Sequence, residues 1–131
     1  MKYLLDTNTC ILLMKNHIPT VERYKRNKHL GVVVSTITVA ELFFGVYNSA
    51  RPQENALNLA KFLIGFKVLK FDDLAAMEYG HIRAILQKKG TPIGQLDMLI
   101  AGHGKSGGFI VVTNNTREFE RIEGLELEDW K

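Results

Sequence analysis

The stretch Leu30-Gly31-Val32-Val33-Val34-Ser35-Thr36 is apolar at consecutive positions, so both faces of any strand it forms must be covered. Its valines are β-branched and stiff about χ1, which suits a pleated strand better than a helix. Short, near-continuous apolar runs of this kind belong to parallel strands buried between helices. The spacing predicts a strand over Leu30–Val34, with a helix following Ser35-Thr36 through Leu42 to Tyr47.

Outward from it the pattern repeats. Tyr3–Leu5, Val68-Leu69, Phe109–Val112 and Leu125–Leu127 read as further short strands. Between them lie helical stretches: about Thr9–Met14, Pro19–Arg26, Pro52–Phe66, a helix capped by Asp72-Asp73 and reaching Lys88, and Leu96–Lys105. Strands alternating with helices imply an α/β fold, a single three-layer sandwich with a short, mostly parallel central sheet. No repeat, linker or low-complexity segment divides residues 1–131, so one domain is expected.

Composition agrees. With 131 residues, 46% of them hydrophobic, the chain can build a core without staples. One cysteine, Cys10, excludes an internal disulfide framework and points to a reducing, cytoplasmic setting. No signal peptide and no apolar run of about 20 residues is present, so no membrane partner is expected. The net charge of +3 permits a polyanionic partner without demanding one. Two basic runs, Lys25-Arg26-Asn27-Lys28-His29 and Lys88-Lys89, read most simply as solvated helix ends.

In open parallel sheets, ligands bind beyond the carboxyl ends of the strands. Here the first strand ends in Asp6-Thr7-Asn8 and the second in Ser35-Thr36, with Glu41 in the helix that follows. The Phe109–Val112 strand ends in Thr113-Asn114-Asn115, and Asp97 opens the helix feeding it. Asp6, Glu41, Asp97 and Asn115 therefore converge on one rim. Each acid has an ordinary alternative role. Asp6 can cap the first helix, Glu41 stands at capping-box spacing from Thr38, and Asp97 complements a helix dipole. Three such carboxylates on one rim would repel one another unless a cation neutralised them.

On a helical wheel Glu41 shares a narrow strip with Gly45 and Asn48, opposite Val39, Leu42, Phe43, Val46 and Tyr47. Gly45, one turn on, leaves space beside the carboxylate. The apolar arc, with Phe44 extending it, is wider than a core-facing helix needs. It reads either as a helix buried all round or as one that also meets a second subunit or partner.

Clustered carboxylates without histidine or cysteine groupings suit hard divalent cations, Mg²⁺ or Mn²⁺. His17, His29, His81 and His103 are scattered and read as surface or packing residues, and Cys10 as a small buried one. There is no Gly-rich phosphate loop and no nucleophile elbow. An ion held at such a rim can activate water and neutralise a phosphodiester. Asp6 and Asp97 would hold it directly or through water. Glu41 would orient or deprotonate the attacking water, or complete the coordination. Lysines and arginines at the rim would bind backbone phosphates. A phosphatase that forms an aspartyl-phosphate fits less well, because Asn8 stands where a second Asp is wanted.

The segments Leu4-Leu5-Asp6-Thr7-Asn8, TVAELFFGV (38–46), GTPIGQLDMLIAGH (90–103) and VVTNNTREFERIEGLELEDW (111–130) together resemble PIN-domain proteins. They are most similar to the VapC-type toxin ribonucleases of bacterial toxin–antitoxin modules. The resemblance implies a PIN-like sandwich, a Mg²⁺-dependent endoribonuclease, a homodimer and a cognate VapB-type antitoxin. Its implied substrates are structured RNAs, often transfer RNA, and the Thr113–Phe119 segment resembles enzymes that cut initiator transfer RNA. By motif, Asp6, Glu41 and Asp97 match the family's acids and Thr113 its small polar residue.

Two departures stand out. Asn115 replaces a fourth acid, leaving Glu118 or Glu120 to assist. Gly102 and Gly104 stand where the family often has alanines, at up to about 1 kcal/mol each, which predicts a less rigid helix. A decayed site in a non-catalytic RNA- or protein-binding module is the alternative.

Overall fold

The computed structural model describes residues 1–131. Five strands form one sheet: β1 (Tyr3–Leu5), β2 (Val32–Ser35), β3 (Lys67–Leu69), β4 (Ile110–Val112) and β5 (Leu127–Glu128). Their order is β3-β2-β1-β4-β5, and every pairing is parallel. The first strand in sequence lies at the centre, with Tyr3 opposite Val32 on one side and Ile110 on the other. The helices are α1 (Thr7–Met14), α2 (Ile18–Asn27), α3 (Thr36–Tyr47), α4 (Pro52–Ile64), α5 (Asp73–Lys89), α6 (Gln95–Ser106) and α7 (Thr116–Phe119).

Strand alternation divides the core in two. Tyr3, Leu5, Val32, Val34 and Val112 pack on one face with Leu13, Leu42, Val46 and Leu59 of α1, α3 and α4, closed by Trp130. Leu4, Val33 and Val111 pack on the other with Ile82, Leu86, Met98, Ile100 and Phe119 of α5, α6 and α7. The expected three-layer sandwich is therefore present, with a wholly parallel sheet.

Boundaries differ from the sequence reading where capping decides them. α1 begins at Thr7 rather than Thr9, because Asp6 Oδ1 accepts the Thr9 backbone N–H at 2.8 Å. Leu30 is not in the strand. Lys28–Leu30 forms a 3₁₀ turn, closed by Gly31 at φ +90°, where a Cβ would lie 2.7 Å from Met1 Cα. α4 stops at Ile64 instead of Phe66, and the last strand is Leu127–Glu128 rather than Leu125–Leu127. α7, a single turn, is too short to show periodicity and was not expected.

Two side-chain readings are also corrected. Ser35, not Thr38, starts α3, its Oγ accepting the Ile37 N–H at 3.0 Å, so Glu41 closes no capping box. α3 is not buried all round either, since Phe44 and Tyr47 are 70% and 71% exposed.

Gly102 and Gly104 lie inside an unbroken α6 and are buried. A Cβ on Gly102 would meet the Tyr79 backbone N at 2.8 Å, and one on Gly104 would collide with the Val111 side chain. The loss in helix propensity is thus offset by close packing of α6 against α5 and the sheet.

Candidate active site at the carboxyl rim of the sheet

Asp6 follows β1, and its backbone N–H continues the ladder to Val112 O at 3.0 Å. The side chain is 3% exposed. Burial raises its pKa most; hydrogen bonds from Thr113 and Thr9 oppose that, and the Asp129 charge adds to it. Capping and membership of the rim coexist: Oδ1 takes the Thr9 N–H, while Thr9 Oγ1 donates to Val112 O at 3.1 Å. That last bond fastens α1 to β4.

Glu41 reaches the rim across α1. Its Oε1 accepts the Thr7 hydroxyl at 2.6 Å. Since a threonine has one proton to give, the 3.4 Å contact between Thr7 and Thr38 must run with Thr38 donating. Glu41 also borders a groove of about 710 Å³ between α1, α3 and α4, lined by Met14, Lys15, Gly45, Lys61 and Phe62 among others. Nothing lies within 4 Å of where a Gly45 Cβ would be, as the helical wheel predicted.

Asp97 is half-buried in the first turn of α6. The Asn115 amide donates to Asp97 Oδ2 at 3.1 Å and to Glu118 Oε2 at 3.0 Å. Asn115 thus holds two acids side by side with one NH₂ group. Burial is the main cause pushing Asp97 up to about 6; the Glu118 hydrogen bond and the charges of Glu118 and Asp6 push the same way, and Asn115 opposes them.

Thr113, fully buried, accepts the Asn115 N–H at 3.0 Å. Glu118 joins the cluster through α7, whereas Glu120 is exposed at the end of that turn. Asp129, close enough for its charge to act on Asp6, was not singled out from sequence; its place in the Glu126–Trp130 ending was the available signal.

The structure therefore brings Asp6, Asp97, Asn115 and Glu118 together and places Glu41 beside them through Thr7. No three Asp, Glu, His or Cys side chains form a ready-made metal cage. The two ion pairs of the fold, Arg23–Glu128 and Arg51–Glu54, leave all these acids without a protein cation. An all-oxygen donor set with uncompensated charge fits a hard divalent cation. Mg²⁺ in particular keeps several waters and needs only one or two carboxylates.

A wholly parallel, doubly covered sheet with acids gathered beyond its carboxyl edge defines the class: an α/β protein whose functional groups sit on strand ends. The chain belongs to the PIN domain family, which its residues 3–125 match. PIN-domain nucleases depend on divalent metals.

The chain is 46% identical over 131 residues to the tRNA(fMet)-specific endonuclease VapC of Salmonella typhimurium, covering 99% of this chain and 98% of that protein. Its backbone is similar to the crystal structure of DNA-bound VapBC from Salmonella typhimurium, with TM-score 0.94, 45% identity and coverage of 100% and 99%. It is equally similar to VapBC2 from Rickettsia felis bound to a promoter DNA fragment, with TM-score 0.94, 34% identity and full coverage of both chains.

Proposed function

We propose that this protein is the toxin of a toxin–antitoxin module, a Mg²⁺-dependent endoribonuclease that cuts structured RNA, with initiator transfer RNA as its substrate. The observation that carries the reading is the rim of carboxylates without a protein countercharge, set on a PIN-domain fold. The substrate follows the tRNA(fMet)-specific relative.

Asp6 and Asp97 would hold the ion, directly or through water, and Glu41 would orient or deprotonate the attacking water or complete the coordination. When bound, the cation supplies a more acidic water and neutralises phosphate charge. The chain's own groups do the positioning. Thr9 N–H fixes Asp6, and Asn115 fixes Asp97 against Glu118. Thr7 occupies one Glu41 oxygen, leaving the other to take a proton.

The groove that Glu41 borders, lined by apolar Ile11, Met14, Val46 and Phe62 and bearing Lys15 and Lys61, suits the antitoxin's peptide. Exposed Phe44, Tyr47 and Ile64 supply apolar surface for pairing of two copies.

The test is end-mapping of total cellular RNA incubated with purified, antitoxin-free protein, with Mg²⁺ and with EDTA. Discrete cuts that require Mg²⁺ are expected, in the initiator transfer RNA first. Absence of cuts from folded protein would favour the binding-module alternative.

The raised carboxyls also set a pH dependence. Between about pH 4 and 6, the native protein keeps a proton on Asp97 that the unfolded chain releases, so metal-free stability falls as pH rises through that window. Asp6 acts in the same direction. His103, held below its ordinary value by burial, acts oppositely: below about pH 6.5 the unfolded chain takes up a proton that the native ring does not. Thermal melts in EDTA across this range should therefore show Asp97→Asn losing Asp97's share of the downward component while the shares of Asp6 and His103 remain. Identical profiles for wild type and Asp97→Asn would remove Asp97 as the source.

A further inference from the structure

His103 stands where three junctions of the fold meet. Its Nδ1 lies 2.8 Å from Ser35 Oγ, and both residues are buried. Ser35 ends β2 and caps α3, its oxygen already accepting the Ile37 N–H. The Ser35 hydroxyl either gives its proton to Nδ1 or accepts one from it, and the ring tautomer decides which. His103 also borders an open cavity shared with Lys70, Asp72 and Ser106, and neither ring nitrogen is left buried without a partner. Phe71, after β3, meets the ring edge-on at 5.6 Å, and its backbone N–H is accepted by Thr36 Oγ1 at 3.0 Å. The start of α3 is thus gripped from two sides.

The two helices joined here carry different halves of the rim. α3 carries Glu41, and α6 carries both His103 and Asp97, about 9 Å apart along its axis at 1.5 Å per residue. The α6 neighbours facing the core, Met98, Ile100 and Ala101, are apolar, and an apolar residue at 103 would avoid the desolvation of a buried imidazole. What the imidazole adds is direction: one buried hydrogen bond that fixes the first turn of α3 against α6.

We propose that His103 is a positioning residue for the reaction, holding the helix of Glu41 at a set distance from the helix of Asp97. The proposal rests on the reading of the rim as a metal-dependent active site. It differs from a packing role in what it predicts for substitutions. Asparagine can place an amide atom near the Nδ1 position, glutamine reaches instead toward Nε2, and phenylalanine fills the volume with no polar atom.

The experiment compares wild type, His103→Phe, His103→Gln, His103→Asn and Asp97→Asn for kcat and KM on the cleaved RNA, and for the rise in Tm that Mg²⁺ produces. His103→Phe and His103→Gln should keep KM, lose kcat about tenfold or more, and show a smaller Mg²⁺-induced rise in Tm. His103→Asn should recover most of both. If His103→Phe does not fold, His103→Gln decides alone. Folded Phe or Gln variants with wild-type kcat and wild-type Tm rise overturn the proposal, as does an Asn variant no better than Gln. An Asp97→Asn protein as active as wild type overturns the reading of the rim itself, a result distinguishable because His103 plays no part in it.

Discussion

Replacing Asp97 with asparagine should lower RNA cleavage by a factor on the order of 10²–10³ or more, in a protein that melts no lower than the wild type. Asparagine has the same shape and still offers Asn115 an acceptor oxygen, so the 3.1 Å contact survives. The negative charge does not survive. The repulsion from Glu118 and Asp6, which pushes the native carboxyl up to about 6, disappears with it. Activity and stability therefore move in opposite directions, which a merely structural acid would not produce. Asp6→Asn is the companion variant, preferable to alanine because it retains an N-cap acceptor for Thr9, whose loss alone costs about 1 kcal/mol. Cleavage rates at saturating Mg²⁺ and circular-dichroism melts supply both readings. A folded Asp97→Asn protein that cuts at the wild-type rate would falsify the assignment.

Gly102→Ala should destabilise the fold by about 1–2 kcal/mol, lowering Tm by several degrees. Alanine gains up to about 1 kcal/mol of helix propensity. Against that, its Cβ would lie 2.8 Å from Tyr79 N and 2.9 Å from Tyr79 Cα. Both are backbone atoms, which cannot swing aside as a side chain can, so α5 must shift bodily. Gly45→Ala is the control. It has the same chemistry in α3, but nothing lies within 4 Å, so it should stabilise by up to about 1 kcal/mol. Denaturant or thermal melts of the two variants should move in opposite directions. A stabilised Gly102→Ala would show that the two helices separate more easily than their packing implies.

How much of this was legible in the sequence depends on the range of the interaction involved. Val32–Val34 and Ile110–Val112 declare themselves as strands because burial on both faces leaves no polar position. Asp6 and Asp97 declare themselves by standing at element starts on the same edge. Glu41 was ambiguous, because capping-box spacing is a local pattern and the contact that places it, to Thr7, spans 34 positions. The Ser35–His103 bond spans 68, and no local pattern announces it. The double use of the Asn115 amide depends on α7, whose single turn carries no period to read. The glycines of α6 looked like weak points in isolation. Only the nearness of Tyr79 and Val111 shows why no side chain fits there.

The sheet has its first strand at its centre. β1 can find β2 early, but its other edge stays open until β4 has been made, and the bond from Thr9 to Val112 links positions 103 apart. Closing so long a loop precedes any gain from the contacts it permits, which places this topology among the slower folders. Asp6 lies on one side of that closure, and Asp97, Thr113 and Asn115 on the other. Under the proposed function, a chain that has not closed this loop cannot cut RNA, because the two parts of its rim have not yet met.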